Sequence, residues 1–173
     1  MNVEHLMPKL PLVIRWIDQT LAAHADQARS VAGFGFVQLP NYFSTDLLEH
    51  AKVVGVARVP VPPLAALGLA GFASFEQRDY SGITFKNTYF VQARRLTDES
   101  IHFHELVHVI QWEYLGVERF LLAYAAGLIA RGYRDSPLEA MAYELQRRFK
   151  RNEPPFDVAT AVHTKLNESE TTR

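Results

Sequence analysis

His104-Glu105-Leu106-Val107-His108, set inside the run IHFHELVHVIQW from Ile101 to Trp112, decides how the rest of the chain is read. Histidines four positions apart fall on one face of a helix, with Cβ atoms roughly 5–6 Å apart, so both imidazoles can reach one tetrahedral ion. Glu105 stands about a quarter-turn round the same helix, where it can take a proton from a metal-bound water instead of filling a coordination position. It is the only formal charge in the run, so the helix is apolar nearly all round and is expected to be buried. A buried carboxylate without a partner is costly, and a metal with its water would supply one. The competing reading is a satisfied hydrogen-bond network of the same three side chains with no ion.

Working outward, Thr97 and Asp98 supply cap chemistry, Glu99 favours the first turn, and Gly116 is a natural stop for this helix. A second helix is expected from about Val117 to Arg131, and a third from Ser136-Pro137 to about Arg151. Upstream, SGITFKNTYFVQ alternates apolar and polar residues, which predicts a strand or hairpin from Gly82 to Gln92. Apolar positions at helical spacing predict an amphipathic helix from Leu12 to Ala28. GFGFVQLPNYFS is strand-favouring up to Pro40, Ser44 or Thr45 can cap a short helix to His50, and Lys52 to Val59 reads as a strand. The stretch VPVPPLAALGLAGF reads as an extended connection followed by a loosely specified segment.

A chain of 173 residues with 48% hydrophobic and 21% charged residues suits one folded α+β domain, taken here as residues 1–160, with 161–173 as a flexible tail ending in LNESETTR. The net charge of −1 gives no pull toward nucleic acid. With no cysteine, disulfides, thiolate catalysis and Cys-ligated zinc are excluded, which fits a cytoplasmic location. Pro8, Pro11, Arg15 and Asp18 interrupt any secretory apolar run, and the longest apolar stretches fall short of the ~20 residues of a membrane span.

Two histidines make an incomplete site, so a third ligand should return from downstream. Glu139, 31 positions after His108, is the leading candidate. Ser136-Pro137-Leu138-Glu139 is also an S-x-x-E capping box, in which Glu139 would bond back to the Ser136 backbone. Glu144 is an alternative ligand or a partner for a ligating histidine, and Asp135 is another such partner. Tyr133, Tyr143 and His102 are candidate donors to an oxyanion. Trp112, Tyr114, Phe120 and Tyr124 recur at helical spacing and read as core. His5, His24, His50 and His163 read as surface residues.

HFHELVHVIQWEYLG followed by YRDSPLEAMAYELQRRF resembles the zincin metallopeptidases, in their gluzincin-like arrangement, and small bacterial proteins with an HELVH helix and a later PLE-x-x-AYE helix. The resemblance spans residues 82–149. It implies a zincin-like fold, Zn2+ on His104, His108 and Glu139, catalytic Glu105, and a peptide or protein substrate. It also implies that the strand within ITFKNTYFVQ binds substrate backbone by strand addition, the alternative being that these residues merely close the sheet. Gln111 and Tyr114 stand where the metzincin pattern has Gly and a third His, and the N-E-x-x-S-D helix of thermolysin-like enzymes is missing. The expectation is therefore a zinc metallopeptidase, with a non-catalytic metal-binding module or a zinc hydrolase of another amide or ester as alternatives.

Overall fold

Helix α4 (Glu99–Leu115) begins where the Asp98 carboxylate accepts the Ser100 backbone N–H at 3.2 Å and ends at Gly116, whose φ of 73° suits a residue without a Cβ. Every residue from Ile101 to Trp112 is buried, so this helix needs neighbours on all sides. In the computed structural model, which describes residues 6–171 and side chains to 168, those neighbours come from a four-stranded sheet and from the helices that follow α4.

The sheet has the order β1-β2-β4-β3, with β1 (Arg29–Ser30), β2 (Lys52–Val56), β3 (Gly82–Phe85) and β4 (Thr88–Gln92). β2 and β4 run parallel with Val54 opposite Phe90, and the two outer pairs are antiparallel. All five residues of β4 are buried, as a central strand covered on both faces requires. The β3–β4 hairpin turns at Lys86-Asn87, where Lys86 takes a left-handed φ of 58°. β3 is left at the sheet edge and lies against α4.

Helices α5 (Val117–Arg131), α6 (Pro137–Lys150) and α7 (Val158–Thr171) all pack on α4. Phe149 of α6 stacks on Phe103 of α4 with ring centroids 4.7 Å apart. Before the hairpin come α1 (Leu10–Ala23), α2 (Thr45–His50) and the single turn α3 (Ala73–Glu76). The Ser44 hydroxyl caps α2 by accepting the Leu47 N–H at 3.2 Å. The architecture is mixed α+β, with a small sheet and seven α-helices among the described residues.

Several boundaries differ from the sequence expectation. Residues 33–44 form no strand: they make two 3-10 turns, because Gly35 adopts a φ of 65° and Pro40 removes a ladder donor. α1 stops at Ala23 and β2 at Val56, both short of the expected ends. The larger correction is at the C-terminus. Residues 161–171 are not a loose tail but the body of α7, whose Val158, Val162 and Leu166 recur at helical spacing and are buried in the core. Asp157, with a carboxylate held below its usual pKa by the Thr160 backbone and hydroxyl, receives the Thr160 N–H at 2.6 Å and starts that helix.

His50 is exposed and pairs with Glu113, whereas His24 and His163 are half-buried against Phe90 and Tyr114; His5 lies outside the described residues. No helix among the described residues is long and apolar enough to cross a membrane.

Because Val162 is fully buried, Val162→Asp should cost about 3 kcal/mol or more and lower Tm by roughly 6–12 °C. Thermal unfolding followed by circular dichroism checks this, and an unchanged Tm would mean that α7 is dispensable to the core.

Candidate metal centre

α4 presents His104 and His108 one turn apart, and α6 brings Glu139 to them in its first turn. Glu139 is free to do so because the capping box does not form. Ser136 makes no side-chain cap and its hydroxyl instead donates to the Tyr133 carbonyl at 2.9 Å. The two imidazole Nε2 atoms lie 3.1 Å apart, and each is 3.4 Å from a carboxylate oxygen of Glu139. One ligand atom from each residue falls within 4.8 Å of the others, and all three side chains are buried.

These distances fit an ion better than they fit a closed hydrogen-bond network. Donors bound 2.0–2.1 Å from a tetrahedral ion are separated by roughly 3.3 Å, close to the three spacings found. Two facing Nε2 atoms can share at most one proton. Glu139 Oε2, which faces the imidazoles, is buried without a hydrogen-bond partner, an arrangement that costs free energy unless something else satisfies it. A borderline-soft divalent cation such as zinc matches two imidazoles and one carboxylate.

The surrounding bonds hold the three side chains in place. His108 Nδ1 donates to the Gln111 amide oxygen at 2.8 Å, which leaves Nε2 as the ring nitrogen that faces Glu139. The Gln111 amide nitrogen in turn donates to the Leu138 carbonyl at 3.1 Å, so one buried side chain ties α4 to the start of α6. From α5, the Tyr124 hydroxyl donates to Glu139 Oε1 at 2.6 Å. Glu105 points toward β3, where the Thr84 hydroxyl donates to its Oε2 at 2.7 Å. A methyl added at Gly82 would overlap the same carboxyl, with its Cδ only 2.9 Å away, so β3 approaches the Glu105 carboxyl closely because Gly82 has no side chain.

Burial alone would raise the pKa of Glu139, but the two imidazoles beside it hold it well below the usual carboxylate range. Burial works against charge on His108, yet Glu139 carries it up to about 9. Glu105 moves the other way: desolvation raises it, and the neighbouring histidines and Thr84 offset only part of that. Two carboxylates in one site are thus driven apart, the pattern of a charge holder beside an acid–base group.

The centre opens on two different spaces. Toward Arg78, Arg95 and Gln146 lies a polar vestibule of about 290 Å³ that also touches Tyr133 and Tyr143. The second is an apolar chamber walled by α1, α5 and β3. His104, Glu105, Tyr80, Gly82 and Tyr133 line both.

Other sequence candidates lie elsewhere. Glu144 is bound by Lys165 at 3.0 Å and Asp135 is exposed, so neither joins the cluster. His102 is fully buried between the Tyr89 hydroxyl and the Leu96 carbonyl, at 2.7 and 2.8 Å, which rules it out as an oxyanion donor. Tyr143 stays close, its ring 4.6 Å from that of His104. Strand addition along β3 is restricted, because the Thr84 carbonyl already accepts the Trp112 indole N–H at 3.1 Å. Trp112 and Phe120 stack as core at 4.0 Å, but Tyr124 belongs to the centre. Tyr124, Gln111 and Thr84 were missed as supporting residues. Only Gln111, three positions after His108 on the same helix, left a trace in the spacing.

Comparison of the chain with family models, with curated proteins and with solved structures finds no match.

Metal analysis of the purified protein should give about one zinc per chain, lost in His104→Ala, His108→Ala and Glu139→Ala and kept in Glu144→Ala. Tyr124→Phe should retain zinc but bind it roughly 10–100-fold more weakly in a chelator competition. Zinc loss in Glu144→Ala, or equal affinity in Tyr124→Phe, would contradict the arrangement.

Proposed function

We propose that the protein is a zinc-dependent hydrolase of amide bonds, with the chemistry of a metallopeptidase and a zincin-like placement of the metal helix behind an edge strand. The observation that carries this reading is the convergence of His104, His108 and Glu139 with Glu105 beside them on the same helix. Zinc bound there would lower the pKa of a coordinated water and polarise the carbonyl to be attacked.

The chain's own residues supply the rest. Glu105 accepts the proton of the attacking water and delivers it to the departing amine, and burial, by raising its pKa, makes it a stronger base than a solvated carboxylate. Thr84 fixes one carboxylate oxygen of Glu105, so the base keeps a single orientation. Tyr133 and Tyr143 line the vestibule beside His104, and burial raises the pKa of both, so both keep their protons and can donate to a developing oxyanion.

The cluster has three members among the described residues; all three line the chamber, and His104 also lines the vestibule. A structural zinc site has four protein ligands, whereas a catalytic one has three and an open position. This favours the hydrolase over a non-catalytic metal-binding module.

Glu105→Gln should retain about one zinc per chain while hydrolysis of an amide substrate falls about 10²–10⁴-fold. Unchanged hydrolysis with zinc still bound would overturn the proposal. Gly82→Ala, which displaces the same carboxyl, should also lower kcat at unchanged zinc content, and a normal kcat there would show that the contact does not position the base.

A further inference from the structure

The apolar chamber is more than the hydrolytic chemistry requires. His104, Glu105, His108 and Glu139 form its polar end, and beyond them its wall is largely hydrocarbon. α1 contributes Leu10, Val13 and Ile17 along one stripe, a span of roughly 10 Å at 1.5 Å per residue. α5 contributes residues from Phe120 to Leu128, roughly 12 Å by the same measure. The chamber volume is about 100 Å³. That makes it a narrow bore beside an engineered cavity of about 150 Å³ that admits a benzene ring, so a slender chain suits it better than a ring.

The polar atoms in that wall are mostly engaged already. The Tyr80 hydroxyl donates to the Phe75 carbonyl at 3.0 Å, and the Thr84 and Tyr124 hydroxyls hold Glu105 and Glu139. The Trp112 indole donates to the Thr84 carbonyl. A peptide continuing into this space would bury its backbone N–H and C=O groups without partners, at a cost a hydrocarbon chain does not incur. The other space at the centre is the polar vestibule, with Arg78, Asp79, Ser81 and Arg95.

We propose that the substrate is an N-acylated amino acid whose linear hydrocarbon chain occupies the chamber. Its amide carbonyl then lies at the metal centre and its amino-acid portion in the vestibule. The proposal rests on the hydrolase reading and names its substrate class. Water adds to the acyl carbon, the C–N bond breaks with its electron pair going to nitrogen, and Glu105 passes the proton from water to that nitrogen. The products are a carboxylate and a free amino acid.

The test titrates the zinc-loaded protein and its Glu105→Gln variant with N-acylglycines from acetyl to dodecanoyl, followed by calorimetry, while cleavage by the unaltered protein is measured in parallel. Affinity should rise about fourfold for each methylene added until the bore is full, and cleavage should follow the same profile. Ala125→Leu, or Val13→Leu should the first variant fold poorly, should move the limit to shorter chains at unchanged zinc content. Affinity independent of chain length, together with Glu105-dependent cleavage of an unacylated peptide, would overturn the proposal and leave the hydrolase reading standing. Chain-length-dependent binding with no Glu105-dependent cleavage would uphold the chamber's ligand and overturn the hydrolase reading.

Discussion

The constraint on which the rest of this structure depends is the burial of two carboxylates and two imidazoles where α4 meets α6 and β3. Ionised groups removed from water must be paired or coordinated. Glu139 finds His104, His108 and Tyr124, and Glu105 finds Thr84. These partners come from three elements, the histidines from α4, Tyr124 from α5 and Thr84 from β3. The packing of α5, α6 and β3 around α4 is therefore fixed by polar geometry as well as by apolar burial.

Small side chains set the distances at two points. Gly82 lets β3 lie against the Glu105 carboxyl, and Gly127 lets α5 lie against the start of α6, where a Cβ would stand 2.9 Å from both Pro137 Cδ and Ser136 Cβ. The second contact brings Tyr124 and Glu139 together from neighbouring helices. A bulkier residue at 127 would push α5 away and take the Tyr124 hydroxyl from the carboxylate. Placement of the site thus depends on backbone approach in residues that carry no chemistry of their own.

The sequence made α4 and its neighbours legible because caps and stops are local. Asp98, Gly116, Gly132 and Ser136-Pro137 mark boundaries within a residue or two of the observed ones. Glu139 was legible as a candidate but not as a decision, since the capping box and the ligand role use the same side chain, and only the Ser136 hydroxyl turning to Tyr133 separates them. Thr84 and Tyr124 were hidden because their partners lie 21 and 15 positions away, and an ordinary strand threonine or helix aromatic carries no sign of the bond it makes. The helical character of 161–171 was misread from a polar, charged ending. Its buried positions, Val158, Val162 and Leu166, are only three residues in a mostly polar stretch.

Folding and the proposed metal binding would be coupled by the same geometry. Two Nε2 atoms 3.1 Å apart and a Glu139 oxygen without a hydrogen-bond partner sit at the junction of α4 and α6, which Gln111 and Phe149 also secure. A ligand that binds only the folded chain stabilises it in proportion to the logarithm of its concentration over its dissociation constant. An ion bound there would act well beyond the site, because α4 packs against β3, β4, α5, α6 and α7. The vestibule and the chamber meet there, so the centre joins a polar space to an apolar one at the most constrained point of the fold. Under the proposed reading, a substrate reaching across that junction would be selected by the difference between its two ends.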